Sequence, residues 1–164
     1  MTERTYRVLF ICKDNAARSI MAEAILNQRG HGRFVAFSAG SHPADRVNPG
    51  ALKQLEDARL ATDGLRTKSW QEFTQPGTPP LDFVFTLWDA GEQEAHPAWP
   101  GHPLVAQWGM PDPARVQGNE RAMAKALHDA FMAIDWRIGL FISLPIAALD
   151  RLTLAARVAE IGDQ

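Results

Sequence analysis

The sequence predicts an α/β fold, with a parallel sheet carrying helices on both of its faces. Two observations support it. Short apolar, β-leaning runs alternate along the chain with stretches of helical period, the signature of parallel strands joined by crossover helices. Breaks rich in Gly and Pro separate them, as at "AGSHPADR", "PGTPP" and "GMPDPA", where neither periodicity continues. The 164 residues, 46% hydrophobic and 22% charged, match one domain over residues 1–164, able to bury a core without cross-links.

"YRVLFIC", Tyr6 to Cys12, reads as a buried first strand. "ARSIMAEAILNQ" then changes to a helical period. Met21, Ala24, Ile25 and Gln28 share a face, and Gly30 and Gly32 stop the helix. "RFVAFS" is a second strand. In "NPGALKQLEDA" Asn48 is the N-cap and Pro49 the first helical residue of a second helix striped by Leu52, Leu55 and Ala58. Lys68 to Phe73 forms a short helical piece. "LDFVFTLW", bounded by Pro80 and Asp89, is the clearest strand, and "HPLVAQW" is the fourth. Met123, Leu127, Phe131, Ile134, Ile138 and Phe141 recur three or four apart, so one long helix is expected from Asn119 to Leu144. Pro145 ends it, and "IAALDRLTLAARVAEI" is read as a final helix.

Net charge of −2 gives no electrostatic footprint for nucleic acid, and any anion site has to be local. A single cysteine among 164 residues excludes an intramolecular disulfide. It also argues against a cysteine-rich zinc site, and His31, His42, His102 and His128 have no metal-ligand spacing. "MTERTYRV" lacks the apolar core of a signal peptide, and "IGLFISLPIAAL" is too short to span a bilayer. A cytoplasmic protein without membrane partners is the expectation.

Ligands in parallel α/β folds lie beyond the carboxyl ends of strands. Cys12 stands at the end of the first strand, and the loop Cys12, Lys13, Asp14, Asn15, Ala16, Ala17, Arg18 joins it to a helix. Amides in such a loop can curl into an anion-binding nest with the helix N-terminus behind them. Arg18 adds a planar cationic fork suited to two oxygens of a tetrahedral oxyanion. The same positive field is expected to depress the thiol pKa of Cys12, and Ser19 can donate a further hydrogen bond to the sulfur. The thiolate would lie beneath the anion for in-line attack. Protonation of a leaving oxygen needs an acid, and "MPDPA" holds Asp112 between Pro111 and Pro113 on a stiff turn after the fourth strand.

These residues, with "FSAGSHPADRVNPGAL", "GLRTKSWQEF", "LDFVFTLWD", "HPAWPGHPLVAQWGMPDPA" and "LFISLPIAALDRL" in this order, resemble the low-molecular-weight protein tyrosine phosphatase superfamily, and within it the arsenate reductase-like branch. The resemblance implies a three-layer αβα sandwich with a four-stranded parallel sheet, the phosphotyrosine phosphatase I-like fold. It implies Cys12 as nucleophile, Arg18 as anion binder, Ser19 as thiolate stabiliser, Asp112 as general acid and Asn15 as the residue that shapes the loop. Some reductases of this branch hold a potassium ion beside the loop, and Asn15, Glu23 and Ser38 match three of its ligands.

Three departures accompany the resemblance. Lys13-Asp14 stands where the family loop has a residue followed by glycine, so Asp14 would be strained or repulsive if that position needs a positive φ or close approach of the anion. Ala114 and Arg115 follow Asp112 where the phosphatases have aromatics. Trp88 and His96 stand where thioredoxin-coupled reductases carry two further cysteines, so an internal thiol relay is excluded. The sequence therefore points to an arsenate reductase-like enzyme with one cysteine nucleophile and an external thiol, glutathione or mycothiol with a redoxin, as reductant. The alternatives are a low-molecular-weight phosphatase that hydrolyses phosphoesters through a cysteinyl-phosphate, needing no cofactor, and a degenerate member that binds an oxyanion or a partner without turnover.

Overall fold

The computed structural model describes residues 4–164. Four parallel strands, β1 (Tyr6–Cys12), β2 (Phe34–Gly40), β3 (Phe83–Thr86) and β4 (Leu104–Gln107), pair in the order β2-β1-β3-β4. β1 and β3 are central, and Val8 to Cys12 and Phe83 to Thr86 are buried without interruption, as expected of strands covered on both faces. β4 lies at an edge: Leu104 and Ala106 are buried, while Val105 and Gln107 are exposed.

Four α-helices follow in chain order: α1 (Arg18–Arg29), α2 (Pro49–Asp57), α3 (Glu120–Ile142) and α4 (Arg151–Ile161). All four contribute to the larger core, against Val8, Phe10, Cys12, Phe83 and Phe85. The opposite face carries Leu9, Ile11 and Val84 and is covered by Trp70, Phe73, Leu81 and Trp88, with Trp99 packed against them. The sheet is thus sandwiched, but the layer on this second face is built from the 3-10 turn Trp70–Phe73 and loops, not from an α-helix. Aromatic rings supply the bulk there that a helix would otherwise supply.

Asn48 caps α2, its side chain accepting from the amides of Gly50 and Ala51, with Pro49 at the first helical position. Asn119 caps α3 through Ala122. α1 is buried nearly all round from Arg18 to Leu26, whereas Gln28, expected on its apolar face, is exposed. The expected final helix is broken: a 3-10 turn, Ile146–Ala148, precedes α4, and Asp150 caps α4 by accepting from the amide of Thr153. An Asp side chain that satisfies the first-turn amides starts a new helix more favourably than it continues an old one. Among the described residues no helix is long and apolar enough to cross a membrane.

The strands end nearly level. Cys12 pairs with Gly40, Ile11 with Thr86, and Thr86 with Gln107. Beyond the ladders, the amide of Leu87 bonds the carbonyl of Ile11, and that of Met110 bonds Leu87. The chain segments after β1, β3 and β4 therefore meet at one edge.

Candidate active site

The loop after β1 is shaped by its carbonyls. Those of Lys13, Asp14 and Ala16 accept bonds from outside the loop, from the amides of His42 (2.8 Å), Ala44 (2.9 Å) and Asn48 (2.9 Å). Among the described residues all peptides are trans, and a trans peptide points its N–H opposite to its C=O. The amides of Asp14, Asn15 and Ala17 consequently face the interior of the loop, and none has a protein acceptor among the described residues. Gly40 makes room for this turn: a Cβ there would stand 2.6 Å from the Lys13 carbonyl oxygen. The left-handed position is Asn15, at φ 52°, and not Asp14. The strain anticipated for Asp14 is absent, because the neighbouring asparagine, a residue that tolerates this region, takes it.

Asn15 is fully buried. Its Oδ1 accepts from the Lys68 amide at 2.9 Å, which leaves its Nδ2 to donate to Ser19 Oγ at 2.8 Å. Ser19 Oγ lies 2.9 Å from Cys12 Sγ. With its oxygen already accepting, the Ser19 hydroxyl has its proton available for the sulfur. One backbone amide thus orients, through two side chains, the donor that faces the thiol.

Arg18, only 1% exposed, is held by more than the sequence predicted. Its Nη1 and Nη2 donate to the two carboxylate oxygens of Glu92 at 2.8 and 2.9 Å. Nη1 also donates to the carbonyl of Met110 at 3.1 Å, and Nη2 is 3.7 Å from Asp112 Oδ2. The bidentate partner of the fork is a carboxylate of the protein itself. The buried Nε–H has no partner among the described residues. Arg18 holds Glu92 down to about 2, first by the hydrogen bonds it donates. Sequence reasoning missed Glu92. The available signal was "DAGE", in which Asp89 and Glu92 form a reciprocal capping box after β3. Asp112 is fixed by accepting from the amide of Ala114 at 2.9 Å. The structure thus brings Cys12, Ser19, Arg18 and Asp112 to one edge, with Arg18 as the link.

The Cys12 thiol is fully buried, and burial pushes its pKa up. Arg18 and the Ser19 hydrogen bond pull the other way, and Asp14 adds to the rise. The expected depression therefore does not appear. Desolvation outweighs the nearby cation, whose charge is largely matched by Glu92.

Asn15, Glu23 and Ser38 do not make a cation cage. The Asn15 side chain is spent on Ser19 and Lys68, and Ser38 Oγ donates to Glu23 at 2.5 Å. The Lys68 ammonium donates to the Ser38 carbonyl at 2.9 Å and stands 3.8 Å from Glu23. An ammonium among these oxygens supplies the positive charge a potassium ion would bring, so the residues present do not fit that ion. Among the described residues no group of three or more His, Cys, Asp or Glu side chains is arranged for a metal.

Trp88 and His96 are neighbours, their rings 5.7 Å apart. Trp99 Nε1 donates to His96 Nδ1 at 3.1 Å, and Trp70 packs against Trp88, His96 and Trp99. Burial lowers the His96 pKa. The segment after β3 is a packed aromatic cluster with no thiol.

Residues 7–128 match the family described as low molecular weight phosphotyrosine protein phosphatase. An arsenate reductase of Bacillus cereus is 30% identical over 118 residues, 72% of this chain and 84% of that protein. A glutaredoxin arsenate reductase of Synechocystis is 28% identical over 107 residues, 65% of this chain and 78% of that protein. Among solved structures, an arsenate reductase in the phosphate binding state superposes with a TM-score of 0.67 at 22% identity, covering 85% of this chain and 98% of that one.

Proposed function

Since the chain belongs to the low molecular weight phosphotyrosine protein phosphatase family, in its arsenate reductase-like branch, we propose that it reduces arsenate with Cys12 as nucleophile and an external thiol as reductant. The observation that carries this reading is the loop itself. Its amides of Asp14, Asn15 and Ala17 face inward beside Cys12, and the Nε–H of Arg18 lies buried with no other acceptor. Such donors suit the oxygens of a tetrahedral anion.

The Ser19 hydroxyl and the loop's inward amides favour the thiolate, and the thiol proton passes to an oxygen of the bound arsenate as the sulfur approaches. The sulfur attacks arsenic(V), an S–As bond forms, and an As–O bond breaks. Asp112 supplies the proton with which the oxygen leaves as water. A second thiolate then attacks Cys12 sulfur. The S–As bonding pair goes to arsenic, which leaves as arsenic(III), while the two sulfurs are oxidised to a mixed disulfide. A further thiol restores Cys12. With Trp88 and His96 in the relay positions, both reducing thiols come from other molecules: glutathione or mycothiol, followed by a redoxin. The name of the Synechocystis relative links it to glutaredoxin. A cytoplasmic setting suits a single thiol that must stay reduced.

A second reading, phosphoester hydrolysis through a cysteinyl-phosphate, is favoured by a cavity of about 470 Å³ beside Asp112, whose walls are apolar at Met110, Pro111, Val116, Ala126 and Ala130 and charged at Asp89, Arg115 and Asp129. Its apolar stretch suits an organic leaving group, which arsenate lacks. The deciding experiment pairs arsenate reduction, with each thiol in turn, against hydrolysis of an aryl phosphate. Arsenite production dependent on a monothiol is expected, and Cys12→Ser abolishes it, because a serine hydroxyl is far harder to ionise than a thiol. Aryl phosphate turnover without arsenite production would select the second reading. Inertness in both assays would leave a binding protein.

A further inference from the structure

Asp14 occupies the loop's interior. Its Oδ1 accepts from the amide of Ala16 at 3.3 Å and lies 3.6 Å from Cys12 Sγ. An anionic oxygen of the protein is therefore already present where the oxygens of a bound anion would gather. Arg18 does not offset it, since its terminal nitrogens are committed to Glu92 and face Asp112 as well. An oxyanion without protons would meet the half-buried Asp14 with lone pairs only, and like charges at contact distance repel. An oxyanion carrying an O–H would instead donate it to Asp14, converting the clash into a charge-assisted O–H···O⁻ bond.

We propose that Asp14 is a specificity-determining residue that admits tetrahedral oxyanions bearing a proton, such as hydrogen arsenate and hydrogen phosphate, and rejects those without one, such as sulfate and the dianions of phosphate esters. The inference rests on the anion-site reading above and deepens it. It also bears on the two chemistries, because inorganic arsenate retains a hydroxyl near neutrality and the ester dianion does not. A site built around one hydrogen-bonding group discriminates against ligands that lack the complement, because that group then faces the ligand without a donor.

The test is calorimetric titration of the full chain with inorganic phosphate and with sulfate at about pH 8, where both are dianions and differ by one proton. Wild type is expected to bind phosphate at least about tenfold more tightly than sulfate. Asp14→Asn and Asp14→Gly should both gain sulfate binding and bring the ratio close to one. Two variants are used so that poor folding of one does not decide the matter. Equal affinities in wild type, or an unchanged ratio in the variants, overturn the role of Asp14 and leave the anion site standing. No binding of either ion by any of the three proteins removes the anion site itself, and this inference with it.

Discussion

Cys12 is poised between a buried thiol and a nucleophile. Burial raises its pKa, Arg18 and Ser19 oppose the rise, and Asp14 adds to it. Without a bound anion, alkylation by iodoacetamide should therefore climb with pH along a curve lying above that of a free thiol, near 8.5. Asp14→Asn should move the curve down and Ser19→Ala should move it up. Fast alkylation of wild type at pH 6 would contradict this. Glu92 contributes on the acid side. Its pKa lies at about 2 in the fold, below the ordinary value of 4.5. A depressed carboxyl contributes stability that is complete above the unfolded value and lost as pH falls through the folded one. The window is thus from pH 4.5 down to about 2. Glu92→Gln removes the bidentate partner of the buried Arg18 and leaves only Asp112, 3.7 Å away, as counter-charge, so the loss at neutral pH should be about 3 kcal/mol, the low end for a broken buried pair. In denaturant melts the variant should show a flatter acid limb than wild type, and coincident limbs would count against the pair.

Among the elements, the turn after β1 depends on β2 as much as on its own residues. Gly40→Ala would drive a Cβ to 2.6 Å from the Lys13 carbonyl oxygen, so the loop has to shift and its inward amides with it. Phosphate binding should weaken by at least about tenfold, and stability should fall by about 1–3 kcal/mol, the range for overpacking. Calorimetry and thermal melts on the same sample check both. Little of this was readable in the sequence. Cys12, Arg18 and the prolines around Asp112 carry local signals: a strand end, a fixed spacing, a rigid turn. Gly40 and Glu92 act on partners 27 and 74 positions away, and no local pattern encodes such distances. The aromatic layer over Leu9 and Ile11 was hidden for a similar reason. Trp70 and Phe73, Trp88, and Trp99 come from three separate short segments, none long enough to show a period. The division of the last helix at Asp150 was legible in principle, since an Asp three residues before Thr153 is a capping pattern. The apolar run on either side of it masked the break.

At the scale of the molecule, strand–helix alternation was enough to give the parallel sheet, because crossover helices leave few other ways to connect such strands. What the whole molecule lacks is a second thiol. After treatment with arsenate and glutathione, intact-mass analysis should find one glutathione on Cys12, removable by glutaredoxin and thiols. With thioredoxin as the sole thiol source, arsenite should not accumulate beyond the slow rate of direct attack. Rapid multiple turnover under that condition would mean that thioredoxin itself resolves Cys12.

The aromatic cluster makes the protein an optical indicator of its own edge. Three of its five tryptophans, Trp70, Trp88 and Trp99, surround the His96 ring at 5.7–6.2 Å. A neutral imidazole leaves indole emission largely intact, whereas an imidazolium at such distances quenches it by accepting an electron from the excited ring. Protonation also converts Nδ1 from an acceptor to a donor, removing the bond from Trp99 and changing the coupling among the indoles. Fluorescence should therefore dim as the solution is acidified below the usual histidine range, in a step that His96→Phe erases.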